Sequence, residues 1–140
     1  MPKSRRSLRP SHYETLAAIR QALRRFLRFS KEAAREARIP PAQHQALLAI
    51  KGHVGSELIS ITQLAERLDL RHHSAGELVD RLESRKLIRR EPSAKDRRRV
   101  GLRLTARGEA LIEKLSTAHL QELRQLGPDL RRLLKLVEGG

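Results

Sequence analysis

Cysteine and tryptophan are absent from this chain of 140 residues, and its only aromatic rings are Tyr13, Phe26 and Phe29. Without cysteine there is no disulfide, no thiolate metal site and no peroxide-sensing thiol, and a reducing, intracellular setting is expected. So few rings argue against modules that hold single strands or RNA loops by base stacking. No apolar run approaches the length of a membrane span, and the basic residues 1–6 lead into no signal-like apolar stretch, so a soluble, cytoplasmic protein with no membrane partner is expected. Catalytic patterns are missing too: there is no glycine-rich phosphate loop, no nucleophile elbow and no carboxylate pair set against a histidine. The expectation is no enzyme, no catalytic residue and no cofactor. His12, His44, His53 and His119 show no ligand spacing, so no metal site is expected either.

What the chain has is positive charge. Thirty Lys and Arg against sixteen Asp and Glu leave a formal charge of +14, and a field of that sign attracts polyanions. Its distribution is uneven: residues 1–38 hold 11 basic and 3 acidic side chains, residues 39–80 hold 3 and 5, residues 81–107 hold 11 and 3, and residues 108–140 hold 5 and 5. Two segments carry the whole excess. Arginine outnumbers lysine 23 to 7, and the planar guanidinium is the better fork for phosphates and guanine edges.

Along the chain, Leu16, Ile19, Leu23, Phe26, Ser30, Ala33 and Ala37 recur in steps of three and four, which predicts one long amphipathic helix over residues 11–38. Such a stripe exceeds what one small domain needs, so part of it is expected to meet another chain. Pro40-Pro41 separates it from a second helix over 41–51 with Ala42, Ala46, Leu47 and Ile50 inside. Ile59-Ser60-Ile61 reads as a short strand-like lead-in, and Thr62 as the cap of a helix with Leu64, Ala65 and Leu68 inward. After the turn Asp69-Leu70-Arg71, a helix over 72–85 buries Ala75, Leu78, Val79 and Leu82, with Leu70 completing the surface that holds the two helices together. Residues 87–90 and 100–104 read as strands of a hairpin with a charged tip. Thr105 caps a fifth helix with Leu111, Ile112, Leu115, Ala118 and Leu123 apolar; Gly127-Pro128 interrupts it, and a sixth covers 129–138.

Helix, turn, helix and then an arginine-rich hairpin is the order of a winged helix-turn-helix. The expected fold is mainly α with a small β-hairpin wing, a winged helix-turn-helix flanked by N- and C-terminal helices. Residues 1–38 are expected to form a basic tail and a long helix that meets another chain, 39–105 the DNA-binding domain, and 106–140 the closing helices. The runs Leu78-Val79-Asp80-Arg81-Leu82-Glu83, Leu87-Ile88-Arg89-Arg90, Asp96-Arg97-Arg98-Arg99 and Leu104-Thr105-Ala106-Arg107-Gly108, in this order and spacing, resemble the multiple-antibiotic-resistance regulator (MarR) family of bacterial transcription regulators. Asp96, Arg98 and residues 104–108 match that family's Asp-x-Arg wing signature and Leu-Thr-x-x-Gly helix start.

The resemblance implies a homodimer, joined by dimerisation helices within residues 1–38 and 106–140, in the bacterial cytoplasm, at the nucleoid, that reads a palindromic operator in double-stranded DNA and acts as a repressor. Arg98 would enter a minor groove, Asp96 would hold the wing in shape, and Lys95, Arg97 and Arg99 would serve phosphates. Arg71, His72, His73, Ser74, Glu77 and Arg81 would line the major-groove face. The sequence departs from the family where Arg71 and His72 replace a small capping residue and a proline, and where Lys86 replaces a glycine ahead of the first wing strand. The resemblance also implies a small-molecule effector, with Arg25, His44 and Leu48 as its candidate cleft. The alternative left by charge alone is an architectural protein that coats DNA without sequence preference.

Overall fold

The computed structural model of the chain describes residues 7–139; the tip of the basic tail, residues 1–6, lies outside them. The order of elements is α1 (Pro10–Glu36), α2 (Pro41–Lys51), α3 (Ile61–Leu68), α4 (His72–Ser84), β1 (Ile88–Pro92), β2 (Val100–Leu104), α5 (Ala106–Gln125) and α6 (Gly127–Glu138). They divide into two compact units, one of Ala33–Thr117 and one formed by the described parts of Met1–Glu32 and Ala118–Gly140.

The unit of Ala33–Thr117 has a continuous core in which Leu47, Ile59, Leu64, Leu82, Leu87 and Ile112 are almost fully buried. Three of its helices end alike. Arg38, Asp69 and Lys86 adopt left-handed backbone, with φ of 56°, 53° and 59°. The next amide in each case reaches back five residues: Ile39 N to Ala34 O at 2.9 Å, Leu70 N to Ala65 O at 2.9 Å and Leu87 N to Leu82 O at 3.0 Å. This closes the orphan carbonyls of the last turn and redirects the chain. Ile39 and Leu87 drop into the core, whereas Leu70 stays at the rim, 40 % exposed, and so is not the core partner of Leu78 and Leu82 that its place in the sequence suggested.

Local chemistry moves several boundaries. Ser60, not Thr62, caps α3: its hydroxyl accepts from Gln63 N at 3.1 Å, and the Gln63 side chain accepts from Ser60 N at 3.0 Å. The reason is that Ile59 bridges Leu102, whose amide donates to Ile59 O at 2.9 Å, so the backbone is held extended up to Ser60. In α2 it is Gln43 and His44, rather than Ala42, that turn inward. A polar side chain is tolerated there because Arg85 donates to Gln43 Oε1 at 2.9 Å and to Arg38 O at 2.8 Å. Strand β1 begins at Ile88 because the Leu87 amide is used in closing α4. The first helix stops at Glu36, ahead of the left-handed Arg38, and α6 starts at Gly127 with Pro128 in its first turn.

β1 and β2 pair antiparallel with Ile88 opposite Leu104, Arg90 opposite Leu102 and Pro92 opposite Val100. Alternation puts Ile88, Leu102 and Leu104 inside and Arg89, Glu91 and Arg103 on the other face. Thr105 locks the hairpin to α5: its hydroxyl donates to Lys86 O at 2.6 Å and accepts from Gly108 N at 3.1 Å. A Cβ on Gly108 would collide with the Leu87 carbonyl oxygen, which gives the Leu-Thr-x-x-Gly run a packing reason.

The second unit has a small core of its own. Ile19, Ala22 and Leu126 are buried there. His119 lies 2.7 Å from the Ser30 hydroxyl, with the rings of Phe26 and Phe29 edge-on to its imidazole at 5.7 and 5.3 Å. Leu16, Leu23, Leu27, Leu120, Leu134 and Val137 are 44–66 % exposed.

Candidate nucleic-acid interface

The helix-turn-helix and the hairpin both belong to the unit of Ala33–Thr117, and each exposed cation in them traces to a local cause. Helix α4 buries Ala75, Leu78, Val79 and Leu82. Helical periodicity therefore turns His73, Glu77 and Arg81 outward, and these are exposed, as are Arg71 and His72; Ser74 is half-buried. Arg71 holds the N-cap position with φ −67° and ψ 150° and makes no side-chain cap, and the first turn contains no acid. The first-turn amides of α4 thus lack a side-chain acceptor from the cap. Among the described residues no ion pair joins Glu77 to Arg81.

The tip of the hairpin is shaped by two side chains that serve its backbone. Asp96 Oδ1 accepts from Arg98 N at 3.0 Å and Asp96 O accepts from Arg99 N at 3.0 Å. The Ser93 hydroxyl accepts from Lys95 N at 3.3 Å and from Asp96 N at 3.4 Å, while Ser93 N donates to Arg99 O at 2.8 Å. A carboxylate turned inward on amides leaves Lys95, Arg97, Arg98 and Arg99 exposed around it.

The base of the wing is clasped to α4. Arg90 shares the inward face of β1 with Ile88, so its guanidinium points at α4, where it donates to Asp80 at 2.6 Å and to Glu83 at 2.6 Å. Glu83 also accepts from Arg90 N at 3.2 Å. The hydrogen bond to Asp80 is the largest influence raising the Arg90 pKa above its ordinary value; partial desolvation opposes it and Glu83 adds to it. On the outer face, Arg89 and Arg103 stand directly opposite each other across the ladder, and Glu91 bridges them at 2.7 and 2.9 Å. The hydrogen bond from Arg103 is the largest influence holding the Glu91 carboxyl below its ordinary pKa of 4.5; desolvation opposes it, and the hydrogen bond from Arg89 adds to it.

The charge distribution follows from these bonds. Glu83, Glu91 and Asp96 are the acids of residues 81–107, and each is occupied in holding the hairpin together. Among the described residues, Arg71, Arg81, Lys95, Arg97, Arg98 and Arg99 have no carboxylate partner. Uncompensated positive charge is therefore left on the outward face of α4 and at the tip. Between the tip and the start of α3 runs an open groove of about 800 Å³, with Lys95, Arg98 and Arg99 on one wall and Ser60, Thr62 and Gln63 on the other.

The sequence reading missed that groove and missed the two structural arginines, Arg85 and Arg90, which it counted only as basic charge or strand. A signal for the clasp was present in Asp80 and Glu83, three apart on one helix face, but only the strand register brings Arg90 to them. Of the candidate effector residues, His44 is 5 % exposed and has a bonding partner within the fold, and Leu48 is 49 % exposed on the same helix. Arg25 belongs to the other unit, where with Gln21, Glu122 and Asp129 it lines a cavity of about 240 Å³.

Comparison with known proteins agrees with this geometry. The model of the MarR family matches residues 39–99. The chain is 37 % identical over 110 residues to the uncharacterized HTH-type transcriptional regulator YhbI of Bacillus subtilis, covering 68 % of this chain and 69 % of that one. It is 35 % identical over 77 residues to the HTH-type transcriptional repressor MdtR of the same organism, 55 % of this chain but only 48 % of the repressor's length. Among solved structures, a mutant of S. aureus MepR bound to an oligodeoxyribonucleotide superposes with a TM-score of 0.68 at 20 % identity, over 86 % of this chain and 96 % of that one.

Proposed function

This chain belongs to the MarR family and is a DNA-binding transcription regulator, and from that premise we propose that it acts as a homodimeric repressor gripping a palindromic operator. Each copy inserts α4 into a major groove, with Arg71, His72, His73, Ser74, Glu77 and Arg81 toward the bases. Arg98 enters the adjacent minor groove, and Lys95, Arg97 and Arg99 meet phosphates. The observation that carries this reading is the placement of charge: every acid of the wing is spent on internal bonds, while the tip and α4 keep free cations. A surface assembled only for solubility has no need of that division.

In the same proposal residues 39–105 read DNA, while residues 1–38 and 106–140 join the two copies. The exposed leucines of α1, α5 and α6 are the surface available for it. Two-fold symmetry then calls for half-sites roughly one helical turn, or about 34–36 Å, apart. The site of action is the nucleoid in the cytoplasm. Release by a small anionic effector belongs to the proposal as well, with Arg25 and Leu48 the exposed residues to vary and His44 a buried neighbour of Leu48 on α2.

Competition binding at about 0.15 M salt tests it. A regulator prefers its operator to random duplex by at least about a thousandfold, whereas a coating protein shows a ratio near one. Arg98→Ala is expected to weaken operator binding and to flatten the salt dependence by about one unit of slope. An unchanged slope would take the wing out of the interface.

A further inference from the structure

One face of α1 carries cations that the reading head does not use. Arg20, Arg24 and Arg28 follow at four-residue intervals, and Lys31 and Arg35 continue the row. At about 100° per residue the five fall within an arc of roughly 80°, and the helical rise spreads them over roughly 22 Å. All five are exposed. Among the described residues none has a carboxylate partner, not even Arg28, although Glu32 stands one turn further on. The helix's acids, Glu14, Glu32 and Glu36, lie beyond the edge of the arc.

This arrangement does not serve the helix. Like charges at i and i+4 repel and destabilise it, and a mixed surface would keep the protein in solution equally well. Nor does the row serve packing, since Ile19, Ala22 and Ala34, the buried positions of α1, all lie outside the arc. Four of the five cations are arginines, whose forks pair with phosphate oxygens. A ligand for such a row is a long, stiff polyanion with evenly spaced charges. Tyr13, at one end, is the only ring in the arc, which disfavours a single strand that needs stacking platforms. A membrane would need the exposed leucines beside the row, Leu16, Leu23 and Leu27, which the proposed dimer covers.

We propose that this face of α1 binds the phosphate backbone of duplex DNA without sequence preference, as an auxiliary contact beyond the operator half-sites. The inference rests on the reading of the chain as a DNA-bound homodimer. It assigns five of the 11 basic side chains of residues 1–38 to DNA lying outside the recognised sequence.

The test uses the full-length dimer and the triple variant Arg24→Gln, Arg28→Gln, Lys31→Gln. Glutamine has a similar helix propensity and leaves the apolar face intact. Salt titrations are run on a minimal operator and on the same operator with long flanks; a third assay measures capture of a second, labelled duplex by operator-bound protein. The variant is expected to match the wild type on the minimal operator within about twofold. On the flanked duplex or in capture its salt slope should be shallower by about 0.9 for each phosphate that the variant no longer neutralises, about two to three per protomer. A weaker grip on the flanked duplex assigns the contact to the same DNA molecule, and weaker capture assigns it to a second one. Unchanged slopes in both assays overturn the proposal, as does an equal weakening in all three, or retention of the wild type by anionic vesicles with no dependence on flanking DNA. If the wild type finds no operator at all, the regulatory reading has failed, and that result is distinct from a failure of the variant to differ.

Discussion

Lys86 occupies a backbone conformation that favours glycine, with φ 59° at the end of α4, because left-handed backbone sets Cβ against a carbonyl oxygen. The position is exposed, so its side chain adds little packing to offset the strain. Lys86→Gly is expected to raise stability by about 1 kcal/mol, read as a shift of the denaturant midpoint at constant m-value; a midpoint that falls would show that the lysine side chain contributes more than the strain costs. Glu91 offers a pH test at the same scale. Its folded pKa lies below 4.5 because Arg103 and Arg89 favour the charged form. Its contribution is therefore fully present above the unfolded value and fades as pH falls through the folded one. Glu91→Gln should be less stable than the wild type at neutral pH, and the two should converge as the medium is acidified below pH 4.5. Denaturation curves at several pH values would show the gap closing, and a gap independent of pH would contradict the assignment.

At the scale of elements, the hairpin is tied to α4 because Arg90 joins β1 to that helix through both Asp80 and Glu83. The pair is partly open to solvent, with the Arg90 side chain 32 % and the Asp80 side chain 66 % exposed, so the bond contributes at most about 1 kcal/mol to folding. Its larger effect is geometric. A wing free to pivot spends binding energy on being ordered against DNA. Arg90→Gln is expected to lower operator affinity roughly tenfold while moving the unfolding midpoint little, as gel shifts and thermal melts on the same preparation would show. Proportionate losses in both would mean that Arg90 supports the fold and nothing more. Ser93 and Asp96 act similarly at the tip, where bonds to amides spare the arginines any internal duty.

For the whole molecule, the contrast between the two units decides what to expect in solution. Ala33–Thr117 has a continuous core, whereas the unit containing α6 leaves Leu134 and Val137 53 % and 66 % exposed. Apolar surface of that extent on exposed helix faces is the mark of an interface. Leu134→Glu is expected to shift the sedimenting species toward the 16.0 kDa chain and to reduce operator affinity by far more than any single phosphate contact, because two linked heads bind with the advantage of effective concentration. A variant that remains dimeric would place the interface elsewhere.

Helix periodicity, the order of helix, turn, helix and hairpin, and the charge excess of residues 81–107 were all legible in the sequence, because each depends on residues near one another along the chain. The wing signature could be read for the same reason: Asp96 serves amides two and three residues away. Bonds between distant positions could not be read. Burial of Gln43 rests on Arg85, forty-two residues on; the start of α3 at Ile61 rests on the bridge from Ile59 to Leu102; and the duty of Arg90 rests on the register that turns it toward α4. A sequence states which side chains carry charge. Tertiary structure decides which of those charges are neutralised inside the protein, and the remainder is what a polyanion can meet.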